Sequence, residues 1–247
     1  MTIRAFCRVI VFIPVCILML CSPVMASVVM LNTRVIYPAD TQSQTLQFSN
    51  NDNIPYVMQV WSDVNDPAST PDNTNAPFMS VPALFRIEPH TGQSVRLIFT
   101  GKDLPKDRES LFYLNSVQIP PKNAIKGNQN QMSVILRNRL KIFYRPKDIV
   151  GDPDSVAKQI HFSLKEDNGR WELVAENTSG YYASVITASL SVGAQNIPFQ
   201  ASMIPPKTTV TWPTNKKGQS ISAASKVKFT LINDYGGQTY AQADLAR

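Results

Sequence analysis

The sequence predicts an all-β protein built from two immunoglobulin-like β-sandwich domains. Three observations point there. No long run of the chain after its first residues repeats apolar positions at helical spacing. What recurs is short apolar alternation broken by Pro, Gly, Asn and Asp, the pattern of half-buried strands. These runs fall into two sets of seven on either side of a polar stretch holding Pro146, Gly151 and Pro153. Seven short strands per half is the immunoglobulin-like count.

The first segment reads differently. Arg4 and Arg8 flank the start of an apolar run, Val9 to Leu20, and "SPVMA" follows with small residues. A run of about a dozen apolar residues suits a signal peptide and is too short to span a bilayer. Pro14 also argues against a membrane anchor. Residues 1–26 are therefore read as a signal peptide cleaved after Ala26, which sends the chain out of the cytoplasm. All three cysteines, Cys7, Cys16 and Cys21, lie in this segment. The exported remainder has no thiol and needs a real hydrophobic core. It keeps 221 of the 247 residues, room for two domains of about a hundred residues each. Losing Arg4 and Arg8 lowers the formal charge from +6 to +4, too mild to argue for nucleic acid.

The first domain, 27–147, offers candidate strands at 27–37, 44–50, 56–63, 78–89, 93–100, 110–120 and 132–145. Residues 64–77, "VNDPASTPDNTNAP", read as a mobile surface loop. "RPKDIVGDPDS" reads as a linker. The second domain, 153–247, offers strands at 158–166, 170–177, 182–192, 196–204, 207–212, 226–234 and 238–245. No sequence repeat relates the halves.

The chemistry of an enzyme is missing. Two histidines far apart, His90 and His161, with no cysteine after the leader, do not make a transition-metal site. There is no G-x-S-x-G elbow and no phosphate-cradling P-loop. Neither a metal nor a cofactor is expected, and the chain reads as a binding protein.

Two places carry the functional question. "MSVILRNRLKIFYRP", 132–146, joins an apolar run to three cations in five positions. Met132, Val134 and Leu136 share one strand face. They either fill the core or form an exposed edge, which is a hazard unless a partner covers it. Lys141 falls on the opposite parity from Val134, so one groove could serve both only with a bulge or a strong twist between them. Arg34, in "VVMLNTRVIYP", sits where a buried strand has no use for a guanidinium. It either extends from an edge strand or holds a carboxylate through two parallel hydrogen bonds.

"LNTRVIYPAD", "LPKDRESLFYLNSVQIPP", "LKIFYRP" and "INDYGG" together resemble the periplasmic pilus chaperones of the PapD type. The resemblance runs through both domains in order; Ser116 departs from it, where the family usually has an apolar residue. It implies two immunoglobulin-like domains in an L or boomerang arrangement with a cleft between them. It implies a chaperone for fimbrial subunits that works by donor-strand complementation without ATP. The lent strand would be the seventh of the first domain, about Gln131 to Arg137, inserting Met132, Val134 and Leu136 into the subunit's groove. Arg34 and Lys141 match the cations that grip the subunit's C-terminal carboxylate. Glu109, Arg145 and Asp234 match an ion-pair network between the domains. Implied partners are pilus subunits in one-to-one complexes and the outer-membrane usher, with self-association through the edge strand when the protein is free. The loop from about Pro121 to Gln131 is short and lacks cysteine, like the branch of the family that serves rod-like fimbriae.

The competing readings are a structural pilus subunit or adhesin, and an exported enzyme on a sandwich. The first is disfavoured by two complete-looking domains without cysteine, the second by the missing catalytic groups.

Overall fold

The computed structural model describes residues 28–101, 104–121, 135–167, 169–192, 195–214 and 226–245. The first half packs two sheets face to face. One orders β1 (Val28–Met30), β3 (Gln44–Asn50), β7 (Gly92–Phe99) and β5 (Phe78–Val81). The other orders β2 (Arg34–Pro38), β9 (Leu136–Arg145), β8 (Ser110–Ile119), β4 (Tyr56–Asp63) and β6 (Leu84–Ile87). Alternation does the sorting. In β3, Leu46 and Phe48 point inward while Thr45 and Gln47 face water; in β7, Val95 and Leu97 are fully buried while Ser94 and Arg96 are not.

The second half repeats the design. β10 (Ile160–Asp167), β11 (Arg170–Asn177) and β14 (Thr208–Pro213) form one sheet. β13 (Gln195–Phe199), β12 (Val185–Val192), β15 (Lys226–Ile232) and β16 (Gln238–Ala243) form the other. A separate apolar core around Phe162, Leu173, Leu190, Trp212 and Phe229 joins them.

Although the halves share no sequence repeat, they share a corner. Asn50 ends β3 and Asn177 ends β11, and both are fully buried. The Asn50 amide donates to the carbonyls of Ile54 (2.8 Å) and Glu88 (3.1 Å). The Asn177 amide donates to those of Tyr181 (2.7 Å) and Pro205 (3.1 Å). Each side-chain oxygen also accepts a main-chain N–H two residues on, at 3.0 Å, closing the turn.

Several expected elements change. The run at 27–37 is two strands in two sheets: β1 pairs antiparallel with β3, whereas β2 runs parallel to β9, and exposed Leu31, Asn32 and Thr33 cross between them. The run at 78–89 also divides, because Pro82 offers no N–H to a ladder. Part of the expected linker is a 3-10 helix, Pro153–Gln159, whose start is capped by Asp152 accepting from the Asp154 N–H at 2.9 Å. The 64–77 loop, expected to be mobile, is tied back: buried Ser69 accepts from Trp61 Nε1 (3.1 Å) and donates to Asp63 (3.2 Å).

The halves meet closely. The Glu109 N–H donates to the Gly180 carbonyl at 2.8 Å, and Lys207 pairs with Asp107. A Cβ on Gly180 would lie 2.8 Å from the Asp107 carbonyl oxygen, so only glycine allows this approach.

Candidate functional site

The parallel ladder between β2 and β9 decides where two cations stand. Its register sets Arg34 directly beside Lys141, and Ile36 beside Phe143. Alternation then puts Arg34 on the same outer face as Lys141, Phe143 and Arg145. This face looks into the gap between the two halves, lined by Arg34, Phe143, Arg145, Tyr182, Ser184 and Asp234.

The cations there are in opposite states. The Arg145 Nε donates to Glu109 at 2.7 Å, and its two terminal nitrogens clasp Asp234 at 2.6 and 3.0 Å. Glu109 is 4% exposed and also accepts the Tyr182 N–H at 2.7 Å. Burial pushes the Glu109 carboxyl up, against the pull of Arg145. Burial disfavours the Arg145 charge too, but Asp234 and Glu109 outweigh it and hold the guanidinium protonated more firmly than usual.

Among the described residues, no carboxylate pairs with Arg34. Its Nη1 donates to Ser184 Oγ (3.2 Å) and to the Ile232 carbonyl (3.1 Å), both from the second half. Its Nε is buried without a partner. The guanidinium lies 5.9 Å from the Phe143 ring centre. Burial lowers its pKa, partly offset by Asp234 and Glu109 at longer range. Lys141 has no ion-pair partner among the described residues. Burial, then repulsion by Arg34, lowers its pKa. Two like charges side by side on a sheet destabilise it. The fold tolerates the cost at a place where an anion would relieve it.

Next to this pair the sheet has an open edge. β2 covers β9 only from Lys141 to Arg145. From Leu136 to Leu140, β9 has a strand neighbour only on the β8 side among the described residues. Ile135 and Leu136 are 58% and 50% exposed there. Met132 and Val134 lie outside the described residues, as does most of the Pro121–Gln131 loop. The β8–β9 register is unbroken from Leu136 to Tyr144, so no bulge interrupts this stretch. Leu136 and Lys141 simply occupy opposite faces.

Sequence reasoning missed a cluster on the outer face of this sheet. Asp63 is fully buried and accepts from Arg139 (2.6 Å), Asn115 (2.6 Å), Ser69 (3.2 Å) and the Asp66 N–H (2.8 Å). Burial disfavours its charge, but these hydrogen bonds win and hold the carboxyl below its ordinary range. The only sequence signal was the alternation of cations at 137, 139 and 141; their common acceptor lies 76 residues from Arg139 in the chain.

Two family models match. The N-terminal domain of PapD, a pilus and flagellar-assembly chaperone, matches residues 27–150, and the C-terminal domain of the pilus-assembly chaperone PapD matches residues 155–243. The chain belongs to the PapD family of pilus-assembly chaperones. Chaperones of this family are periplasmic. Among similar chaperones, the probable fimbrial chaperone YadV of Escherichia coli K12 is 33% identical over 223 residues, covering 89% of this chain and 90% of YadV. The FimB/FhaD chaperone of Bordetella pertussis is 33% identical, covering 90% of this chain and 89% of that one. The crystal structure of YadV superposes with a TM-score of 0.76 at 30% identity, covering 89% of this chain and all of YadV. The SafB chaperone of Salmonella enterica, solved in complex with the SafA pilin, gives 0.72 at 27% identity, covering 91% of this chain and 99% of the matched one. Two PapD-like domains in one order account for both sandwiches and the cleft between them. No helix among the described residues is long and apolar enough to cross a membrane, and none of their His, Cys, Asp and Glu side chains form a group of three or more able to hold a metal.

Proposed function

We propose that this pilus-assembly chaperone captures one subunit at a time, and that Arg34 and Lys141 grip the subunit's C-terminal carboxylate. The observation that carries the reading is the contrast in the cleft: Arg145 is saturated with carboxylate, while Arg34 and Lys141, a step away, have none among the described residues. A carboxylate can accept from both, and hydrogen bonds to charged groups contribute roughly 1.5–3 kcal/mol each.

Fixing the chain end fixes the register of everything that follows it. A one-residue slip would turn every inserted side chain to the wrong face. With the end anchored, the subunit adds a strand along the open edge of β9. Met132, Val134 and Leu136 are assigned to its apolar groove. The Glu109–Arg145–Asp234 network is assigned the job of setting the angle between a first domain at 27–147 and a second at 153–247. The exchange needs no nucleotide and no catalytic group; the complex is delivered to an outer-membrane usher, where another strand replaces the lent one. Residues 1–26 are assigned to a leader cleaved after Ala26.

The test is co-expression with a pilus subunit in the periplasm, followed by native mass spectrometry. A one-to-one complex with the wild type, absent with a folded Arg34→Ala variant, supports the reading. A complex that survives the substitution in full yield overturns the anchor.

A further inference from the structure

The lending half of β9 has an energetic problem. Between Leu136 and Leu140 it is held along one edge only among the described residues. Such a segment frays unless side chains restrain it, and a frayed strand must be ordered again each time a subunit arrives. Two arginines occupy this half on the face away from the core, and both are tied down.

Arg137 is exposed, yet it makes four hydrogen bonds. Its Nε and Nη2 fork onto Asn115 Oδ1 at 3.1 and 2.8 Å. Nη1 reaches the Pro67 carbonyl at 2.9 Å and Nη2 reaches Ser69 Oγ at 3.2 Å. Its guanidinium centre lies 4.9 Å from the Trp61 ring centre. Arg139 forks onto Asp63 at 2.6 and 3.2 Å and lies 3.6 Å from the Tyr113 ring centre. Register places Arg137 beside Val117 and Arg139 beside Asn115, so both side chains slant along the strand toward Asp63. The result stitches β9 to β8, to β4 and to the 66–69 turn. The other half of β9, Lys141 to Arg145, is enclosed by β2 and β8 and makes no such ties to β4.

We propose that Asp63, Arg137 and Arg139 are positioning residues that hold the lending half of β9 extended and in place before a subunit binds. The inference rests on the strand-lending reading above. The cluster's hydrogen bonds run among its own members, to Asn115 and to the 66–69 turn. Its action is on the strand, and through the strand on the rate of capture. Arg and Lys are not interchangeable here: only the planar fork can bridge Asn115 and the turn together.

Hydrogen–deuterium exchange on the free protein reads the positioning directly. Peptides covering 136–140 should exchange at least tenfold faster in Arg137→Ala and Asp63→Asn, while peptides covering 141–145 stay protected. Arg137→Lys should behave like Arg137→Ala. Arg137 is a surface residue, so its variant remains informative if Asp63→Asn fails to fold. In parallel, the association rate with a purified pilus subunit should fall by about tenfold in the same variants. Unchanged protection of 136–140 in folded Arg137→Ala overturns the proposal, as does slower capture with unchanged protection, which would make the arginines direct contacts. If the wild type captures no subunit, strand lending fails; the exchange result still decides whether the strand is held.

Discussion

Two arginines, Arg34 and Arg145, lie in the same cleft of this protein and face opposite fates. Arg145 meets two carboxylates with three short hydrogen bonds, one of them from buried Glu109. Arg34 meets a hydroxyl and a carbonyl, keeps its Nε bare, and has Lys141 beside it. In the first arrangement each buried charge is compensated, and removing one partner would leave the other buried and unpaired. On the proposed function, the carboxylate missing from the second arrangement is supplied by a subunit. One region ties the two halves to each other, and the other sets two cations side by side with no carboxylate on them among the described residues.

The comparison can be broken at its structural end first. Arg145→Ala leaves Glu109 buried with no cation and frees Asp234. It should destabilise the protein by about 3 kcal/mol, measured by urea unfolding, and loosen the domains in small-angle scattering. A loss below about 1 kcal/mol would mean the network is no more than an exposed pair.

Arg34→Ala should do the reverse. Subunit affinity should fall by about 10- to 100-fold, the equivalent of one or two charge-assisted hydrogen bonds, while unfolding shifts little. Affinity from titration calorimetry and the urea midpoint, taken together, check both halves of this expectation.

Lys141→Met sharpens the contrast further. The lysine pKa is depressed by burial and by Arg34. Between that depressed value and the ordinary lysine value of about 10.4, the unfolded chain binds more protons than the folded one. Stability contributed by this group therefore rises with pH across that window, and below it the charged lysine costs stability. At neutral pH, Lys141→Met should melt at the same temperature as the wild type or higher, while losing capture. A clear drop in melting temperature would make Lys141 a structural residue.

The smallest expected effect is that of salt. The cleft cations are partly buried and therefore poorly screened. Raising ionic strength tenfold should weaken capture by no more than a few-fold. A steep salt dependence would place the recognition on exposed charges instead.

Much of this fold is legible in the chain. Leu46 and Phe48, or Val95 and Leu97, announce their strands by alternation alone, because each strand has one wet face. The division of 27–37 is less legible, since "LNT" gives only a weak signal that the chain changes sheets. The site is legible in part. Arg34 stands out as a guanidinium in an apolar run, but by pattern alone it could as well have extended into water. What settles its surroundings comes from Ser184 and Ile232, 150 and 198 residues away. The Glu109–Arg145–Asp234 contacts were reached only through the family resemblance, for no local pattern joins three charges so far apart. Arg137 and Arg139 were visible as charges, but Asp63, their shared target, looked like the polar end of an ordinary strand.

The measurement that tests the central claim most directly compares one pilus subunit in two forms, with a free C-terminal carboxylate and with a C-terminal amide. The amide removes one charge and leaves the groove that receives the lent strand untouched. If Arg34 and Lys141 anchor the chain end, the wild-type chaperone should bind the amide at least tenfold more weakly, and Arg34→Ala should bind both forms alike. Equal binding of the two forms by the wild type would contradict the account.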